Sequence, residues 1–213
     1  MKTIVSLILS GLFLVFQALP VWAVSTTYTV SATVPVATGI SMTVSSVNST
    51  TNAFTTEPPG TTNLSFDTMT FDPTNHIYIP DHYFALDIGV TGGSGSPDTT
   101  VSYTEGANPN SSSATDTNGM GHKATATFAK EVTSGSSTTE TLLTAHGPKK
   151  RLIDLSGEHV TFSEVSGGFL RIYLGVWTGS TTNPADPTNG EPFSNADTAG
   201  LYNGSLLVTA VVN

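Results

Sequence analysis

Apolar and polar residues alternate with a period of two between Gly, Pro, Asn and Asp breaks, and this constrains the chain more than any other feature. The stretch VSTTYTVSATVPVATGISMTV, residues 24–44, shows it twice. Tyr28, Val30, Ala32 and Val34 share one face and Thr27, Thr29, Ser31 and Thr33 the other; Ile40, Met42 and Val44 repeat the pattern. A period of two places alternate side chains on opposite faces of a strand, whereas a helix needs apolar residues three and four apart. Comparable runs at 64–71, 83–90, 100–104, 124–129, 160–162, 169–177 and 205–212 give about nine strands. Most carry one apolar face and one of Thr, Ser or Asp. The expected fold is therefore all-β, a sandwich or a barrel, in which one face of each sheet is buried and the other wet.

Three stretches rich in Ser, Thr, Asn, Gly and Pro, at 48–62, 105–122 and 179–199, read as long loops of the kind that carries function. A fourth irregular stretch, 133–151, contains helix formers at 139–146 followed by Gly147 and Pro148, which predicts a short helix there.

Residues 1–23 read as a secretory signal: Lys2, then an apolar run from Ile4 to Phe16, then a Val21-Trp22-Ala23 end. The run is short for a membrane span of about 20 residues and Pro20 closes it, so no stable membrane insertion is expected once the signal is cleaved. The organisation expected is a signal at 1–23, an N-terminal strand segment at 24–34 and one domain over 35–213. Without Lys2 the chain carries six Lys and Arg against sixteen Asp and Glu, a formal charge of minus ten. That argues against nucleic acid, which calls for a basic face. Charged residues make up only 11% of the chain and cysteine is absent, so a secreted fold of this kind draws its stability from its core or its assembly rather than from disulfides.

The two ends of the chain carry the strongest functional signal. Only Pro35, Val36, Ala37, Thr38 and Gly39 separate the first two alternating segments. This link permits a hairpin within one sheet, or an extended hinge that sends the first strand to another molecule. At the other end Leu206, Val208, Ala210 and Val212 alternate up to the last residues.

The closing stretch AGLYNGSLLVTAVVN, with Gly200, Tyr202 and Gly204 ahead of its alternation, resembles the closing strand of bacterial secreted fimbrial-type β-sandwiches, the spore-coat-U-like and chaperone-usher pilin-like domains. NLSFDTMTFDP, residues 63–73, is similar to another strand of the same proteins. The chain looks equally like cysteine-free, strand-exchanging filament subunits. The resemblance implies an immunoglobulin-like, pilin-like β-sandwich with long loops, and donor-strand complementation, in which a sandwich lacking one strand accepts the N-terminal strand of the next subunit.

On that reading Tyr28, Val30, Ala32 and Val34 form the donor strand, and Leu206, Val208, Ala210 and Val212 form one wall of the acceptor groove. Burying Tyr28, Val30 and Val34 at roughly 1.5–3 kcal/mol each gives a gross gain of about 5–9 kcal/mol before main-chain hydrogen bonds. Head-to-tail contact does not close on itself, so it builds a fibre from copies of the same chain. The competing reading keeps residues 27–34 as the first strand of their own sandwich. A second functional class is a monomeric adhesin or carbohydrate-binding module whose long loops meet cell-surface or matrix components.

Nothing in the sequence points to catalysis or a cofactor. There is no GxSxG and no cysteine nucleophile. His76, Asp81, His82 and Asp87 are the closest approach to a metal cluster, with a spacing that matches no zinc pattern, and Asp186, Asn189 and Glu191 are too few for calcium. No metal is expected. Lys149, Lys150 and Arg151 concentrate half of the basic charge that remains after Lys2, and form either a solvated turn or a subunit contact against an acidic neighbour. Four Asn-x-Ser/Thr sequons occur, at Asn48, Asn63, Asn110 and Asn203; Asn48 and Asn110 fall in expected loops and are the better glycosylation candidates. Trp177 ends an alternating run, where it packs at the rim or stacks on a sugar.

Overall fold

A computed structural model describes residues 28–33, 39–66, 69–90, 97–110, 119–131, 144–145, 149–155, 158–161, 169–178 and 191–212. The expected signal at 1–23 lies outside them, as do Val34, Asp186 and Asn189.

The chain is all-β. In order, its strands are β1 (Tyr28–Thr33), β2 (Ile40–Asn48), β3 (Phe54–Thr56), β4 (Asn63–Ser65), β5 (Met69–Asp72), β6 (Ile77–Pro80), β7 (His82–Val90), β8 (Pro97–Glu105), β9 (Ala124–Glu131), β10 (Thr144–Ala145), β11 (Lys150–Arg151), β12 (Glu158–Thr161), β13 (Phe169–Val176) and β14 (Tyr202–Val212). A single helical turn, α1 (Met120–Lys123), leads into β9, and a 3-10 turn covers Leu152–Asp154.

One sheet runs β12-β8-β14-β1-β4 and a second runs β10-β9-β13-β7-β2-β3, with β11 also on β9; β5 and β6 form a separate hairpin. The two large sheets share one core. Val30, Leu64, Val101 and Leu206 of the first meet Val44, Leu86, Ile172 and Leu174 of the second, all buried. Between Thr33 and Ile40 the chain passes from one sheet to the other, so β1 and β2 are not a hairpin.

β13 is buried along its whole length. Leu170, Ile172, Leu174 and Val176 face the shared core, while Tyr173 on the opposite face joins Val47, Tyr83, Ala85 and Ala129 in a second apolar cluster. β14 follows the alternation read from sequence: Tyr202, Leu206, Val208 and Ala210 are buried, and Ser205, Leu207 and Val211 are exposed.

Several local expectations change. The run at 64–71 is two strands in different sheets, because β4 pairs with β1 whereas β5 turns back on β6. In that turn Asp72 Oδ1 accepts from Thr74 N–H at 2.8 Å and Oδ2 from Asn75 Nδ2 at 2.7 Å, and His76 takes φ 57°. This Asx turn is the local chemistry that closes the hairpin. The expected loop at 48–62 contains β3, a three-residue edge strand on β2. Within the expected helix at 139–146, Thr144 and Ala145 instead pair with Lys130 and Ala129 of β9; a ladder bond to an existing strand overrides weak helix propensity. The other residues of that stretch lie outside the described ones. No helix among the described residues is long and apolar enough to cross a membrane.

Candidate functional site

Val30 marks the centre of a slot built from strands far apart in sequence. On one side β14 runs parallel to β1, with Tyr28 opposite Tyr202 and Thr33 opposite Leu207. On the other, β4 runs antiparallel, with Thr29, Val30 and Ser31 opposite Ser65, Leu64 and Asn63. Val30, fully buried, therefore sits between Gly204 and Leu64 with its side chain in the shared core. β1 has a backbone partner on both sides. Its removal would leave N–H and C=O groups unpaired on β14 and β4 and open an apolar gap over Leu64 and Leu206.

The wall differs in detail from the expected one. Leu206, Val208 and Ala210 are all buried, but only Leu206 lies within the stretch paired with β1. Val208, Ala210 and Val212 stand further along β14, opposite Val101, Thr99 and Pro97 of β8. The second wall, β4, was not anticipated from sequence, although Leu64 and Phe66 alternate and are both fully buried.

The Gly-x-Tyr-x-Gly segment at the base of the slot has a packing reason. A Cβ on Gly204 would collide with the hydroxyl and ring of Tyr103, so the bare backbone lets the ring lie against β14. Tyr103 donates from its hydroxyl to Glu105 Oε1 at 3.2 Å. The Glu105 carboxylate also accepts from the N–H groups of Met120 at 3.0 Å and Gly121 at 2.8 Å, tying β8 to α1. Burial, reinforced by the negative charge of Glu105, pushes the Tyr103 phenol well above its ordinary range. Tyr202 donates to Thr198 O at 2.7 Å and meets Phe193 edge-on at 5.2 Å.

The remaining candidates are scattered. Lys150 and Arg151 pair with β9, and Arg151 reaches Asp154 at 2.8 Å and His122 Nδ1 at 3.2 Å. Lys150 and Arg151 are thus fixed in register within the chain, and Lys149 and Lys150 are both half-buried. His76 lies in the β5–β6 turn, His82 contacts Asp81 at 2.5 Å and Ser65 O at 2.9 Å, and Asp87 pairs with Arg171 on β13. They do not converge, and among the described residues no three His, Cys, Asp or Glu side chains are placed to hold a metal ion. Trp177 is half-buried just past β13 and Glu191 is exposed.

Asn48 is exposed, with Oδ1 accepting from the N–H groups of Thr50 and Thr51. Asn110 is engaged through both ends of its side chain: Nδ2 donates to Asp197 Oδ1 at 2.8 Å and Oδ1 accepts from Thr198 N–H at 2.6 Å. A glycan on Asn110 Nδ2 would take one of the two hydrogens from which the first of these bonds is made.

A polar cleft of about 540 Å³ opens where the β3 and β4 edges approach, lined by Asn48, Thr51, Thr55, Asn63, Asp81 and His82 among others, with Phe84 beneath. No protein-family model matches the chain, and no curated protein matches it.

Proposed function

We propose that this chain is a secreted structural subunit, an immunoglobulin-like, pilin-like β-sandwich that polymerises head to tail into an extracellular fimbrium-like filament at the cell surface. Each copy donates the segment 24–34 to the slot between β14 and β4 of the next. The observation that carries this reading is the position of β1: a strand at the N-terminal end of the described chain fills the interior of a sheet and is followed by a change of sheet within six residues. The backbone ladder and the burial of Val30 are the same whichever copy supplies the strand. Exchange then depends on the link between β1 and β2 and on subunit concentration, as in domain swapping, and a heterologous exchange propagates as a fibre. The fold acts through assembly rather than catalysis and uses no cofactor.

The test is complementation. A chain lacking residues 1–34 should be unstable alone, should recover a cooperative unfolding transition with a synthetic peptide of residues 24–34, and should block fibre growth by the parent. Fibres built by the truncated chain alone would overturn the reading.

A second reading rests on the cleft between the β3 and β4 edges. Its amide, hydroxyl and imidazole groups suit a neutral polyhydroxylated ligand, as in an adhesin or carbohydrate-binding module. Saturation-transfer NMR with glycans distinguishes it, since signal lost in Asn63→Ala and Asp81→Ala variants would locate sugar in this cleft.

A further inference from the structure

Lys123, at the end of α1, is 4% exposed, although a lysine seldom gives up water so completely. Its Nζ donates to Asp197 Oδ1 at 2.8 Å and to Pro192 O at 3.0 Å, and lies 5.5 Å from the centre of the Phe193 ring. The same Asp197 oxygen accepts from Asn110 Nδ2 at 2.8 Å. Amine and carboxamide are therefore held on one carboxylate atom, within two hydrogen-bond lengths of each other. The other carboxylate oxygen of Asp197 is fixed by Ser194, whose N–H donates at 2.7 Å and whose hydroxyl donates at 3.2 Å. Asn110 Oδ1 accepts from Thr198 N–H at 2.6 Å. These groups line a cleft of about 500 Å³ that opens to solvent.

We propose that this cluster is a self-modification site, at which Lys123 and Asn110 form an intramolecular isopeptide bond with Asp197 as the proton carrier. The arrangement supplies each part that amide exchange needs. Asp197 takes a proton from the Lys123 ammonium, and the freed Nζ lone pair attacks Asn110 Cγ. Charge develops on Asn110 Oδ1, where the Thr198 N–H already points, a preorganised donor of the oxyanion-hole type. Asp197, bonded to both nitrogens, then passes the proton to Nδ2. The Cγ–Nδ2 bond breaks as the oxyanion collapses, Asp197 takes a second proton from Nζ to leave the neutral Cγ–Nζ amide, and ammonia departs through the cleft with that second proton as ammonium. Atoms and charge balance with no external oxidant or co-reactant. Holding both reactants on one carboxylate removes the entropic cost of a bimolecular encounter.

The product would tie the segment after β8 to the entry of β9 in a chain without cysteine, independently of which copy β1 completes. A cross-link closing a ring of this size stabilises chiefly by restricting the unfolded chain.

Intact-mass spectrometry of the purified, processed chain with its N-terminus sequenced gives the test. The expected mass lies below the sequence mass by one ammonia, with a branched peptide joining residues 110 and 123 in the digest. Lys123→Arg keeps the positive charge beside Asp197 without an acylatable amine, and Asp197→Asn keeps the shape without the proton carrier; both should show the full sequence mass. The melting temperature of Lys123→Arg should fall by about 5–10 °C. A parent at full sequence mass, a glycan on Asn110, a link from Lys123 to Asp197 with loss of water, or an ammonia loss that persists in Lys123→Arg and so reports a succinimide, would each overturn the proposal.

Discussion

Arg171 and Asp87 face each other across neighbouring strands, Arg171 of β13 directly opposite Asp87 of β7, and pair through two guanidinium nitrogens and both carboxylate oxygens. Nε meets Oδ1 at 2.6 Å and Nη2 meets Oδ2 at 2.7 Å. Arg171 is fully buried and Asp87 nearly so, on the face of the second sheet that points away from the shared core. The guanidinium also lies 4.8 Å from the Phe54 ring and 5.3 Å from that of Phe169. Burial pulls the Arg171 proton affinity down, but the hydrogen bonds and charge of Asp87 outweigh it and leave the group more firmly protonated than an ordinary arginine.

Removing one partner leaves the other charge buried without its match. Arg171→Met and Asp87→Leu should each destabilise the fold by about 3–5 kcal/mol, and the double variant should lose much less than the sum of the two. Urea unfolding midpoints of the four proteins measure this. Additive losses would mean that the two residues act through separate contacts.

The packing of Tyr103 against Gly204 predicts a second coupling. Gly204→Ala places a methyl group into the Tyr103 hydroxyl and ring, and overpacking of this kind costs about 1–3 kcal/mol. Replacing Tyr103 by a smaller residue should relieve the clash, so Tyr103→Ala with Gly204→Ala should be less destabilised than the two singles combined. Because Gly204 stands opposite Val30, Gly204→Ala should also expose residues 24–34 to protease sooner than the parent.

Which residues share a face was legible; which strands are neighbours was not. Alternation in β14 marked Leu206, Val208 and Ala210 as inward, and they are buried. The same alternation in residues 28–34 is compatible with a hairpin or a distant partner, because period two carries no information about register. The parallel pairing of β1 with β14 spans almost the whole described chain. The run at 64–71 looked continuous because Leu64, Phe66, Met69 and Phe71 are all apolar, yet an Asx turn at Asp72 recruits its second half into a different sheet. Arg171 gave no signal at all within a strand otherwise hydrophobic, since its partner lies 84 residues away. Lys123, Asn110 and Asp197 are likewise gathered from three separate segments, two of them inside stretches that read only as loop.

Alkaline pH should unfold the chain through Tyr103. Its folded value is raised above the ordinary 10.0, so the fold retains a proton that the unfolded chain releases. The stabilisation this represents is complete below that ordinary value and is lost as pH climbs beyond it. The urea midpoint should therefore drop from about pH 10 upward, and the phenolate absorbance of Tyr103, read as the difference between the parent and Tyr103→Phe, should appear only on unfolding. In Tyr103→Phe that part of the pH dependence should vanish. A parent whose tyrosines all ionise while it stays folded would contradict the burial of this phenol.

The basic cluster yields a prediction about assembly rather than folding. Arg151 is held within its own chain by Asp154 and His122. Lys149 and Lys150 are half-exposed in a chain with a large excess of acid, and can meet a neighbour's acidic surface. Charge reversal at both, Lys149→Glu with Lys150→Glu, should slow fibre growth several-fold at moderate salt. Raising the salt should narrow the difference between the two proteins, since screening weakens the parent's attraction and the variant's repulsion together. Light scattering during assembly across a salt series measures both effects. Equal growth rates at every salt concentration would remove these lysines from the subunit contact and leave the β1 slot as the whole of the assembly surface.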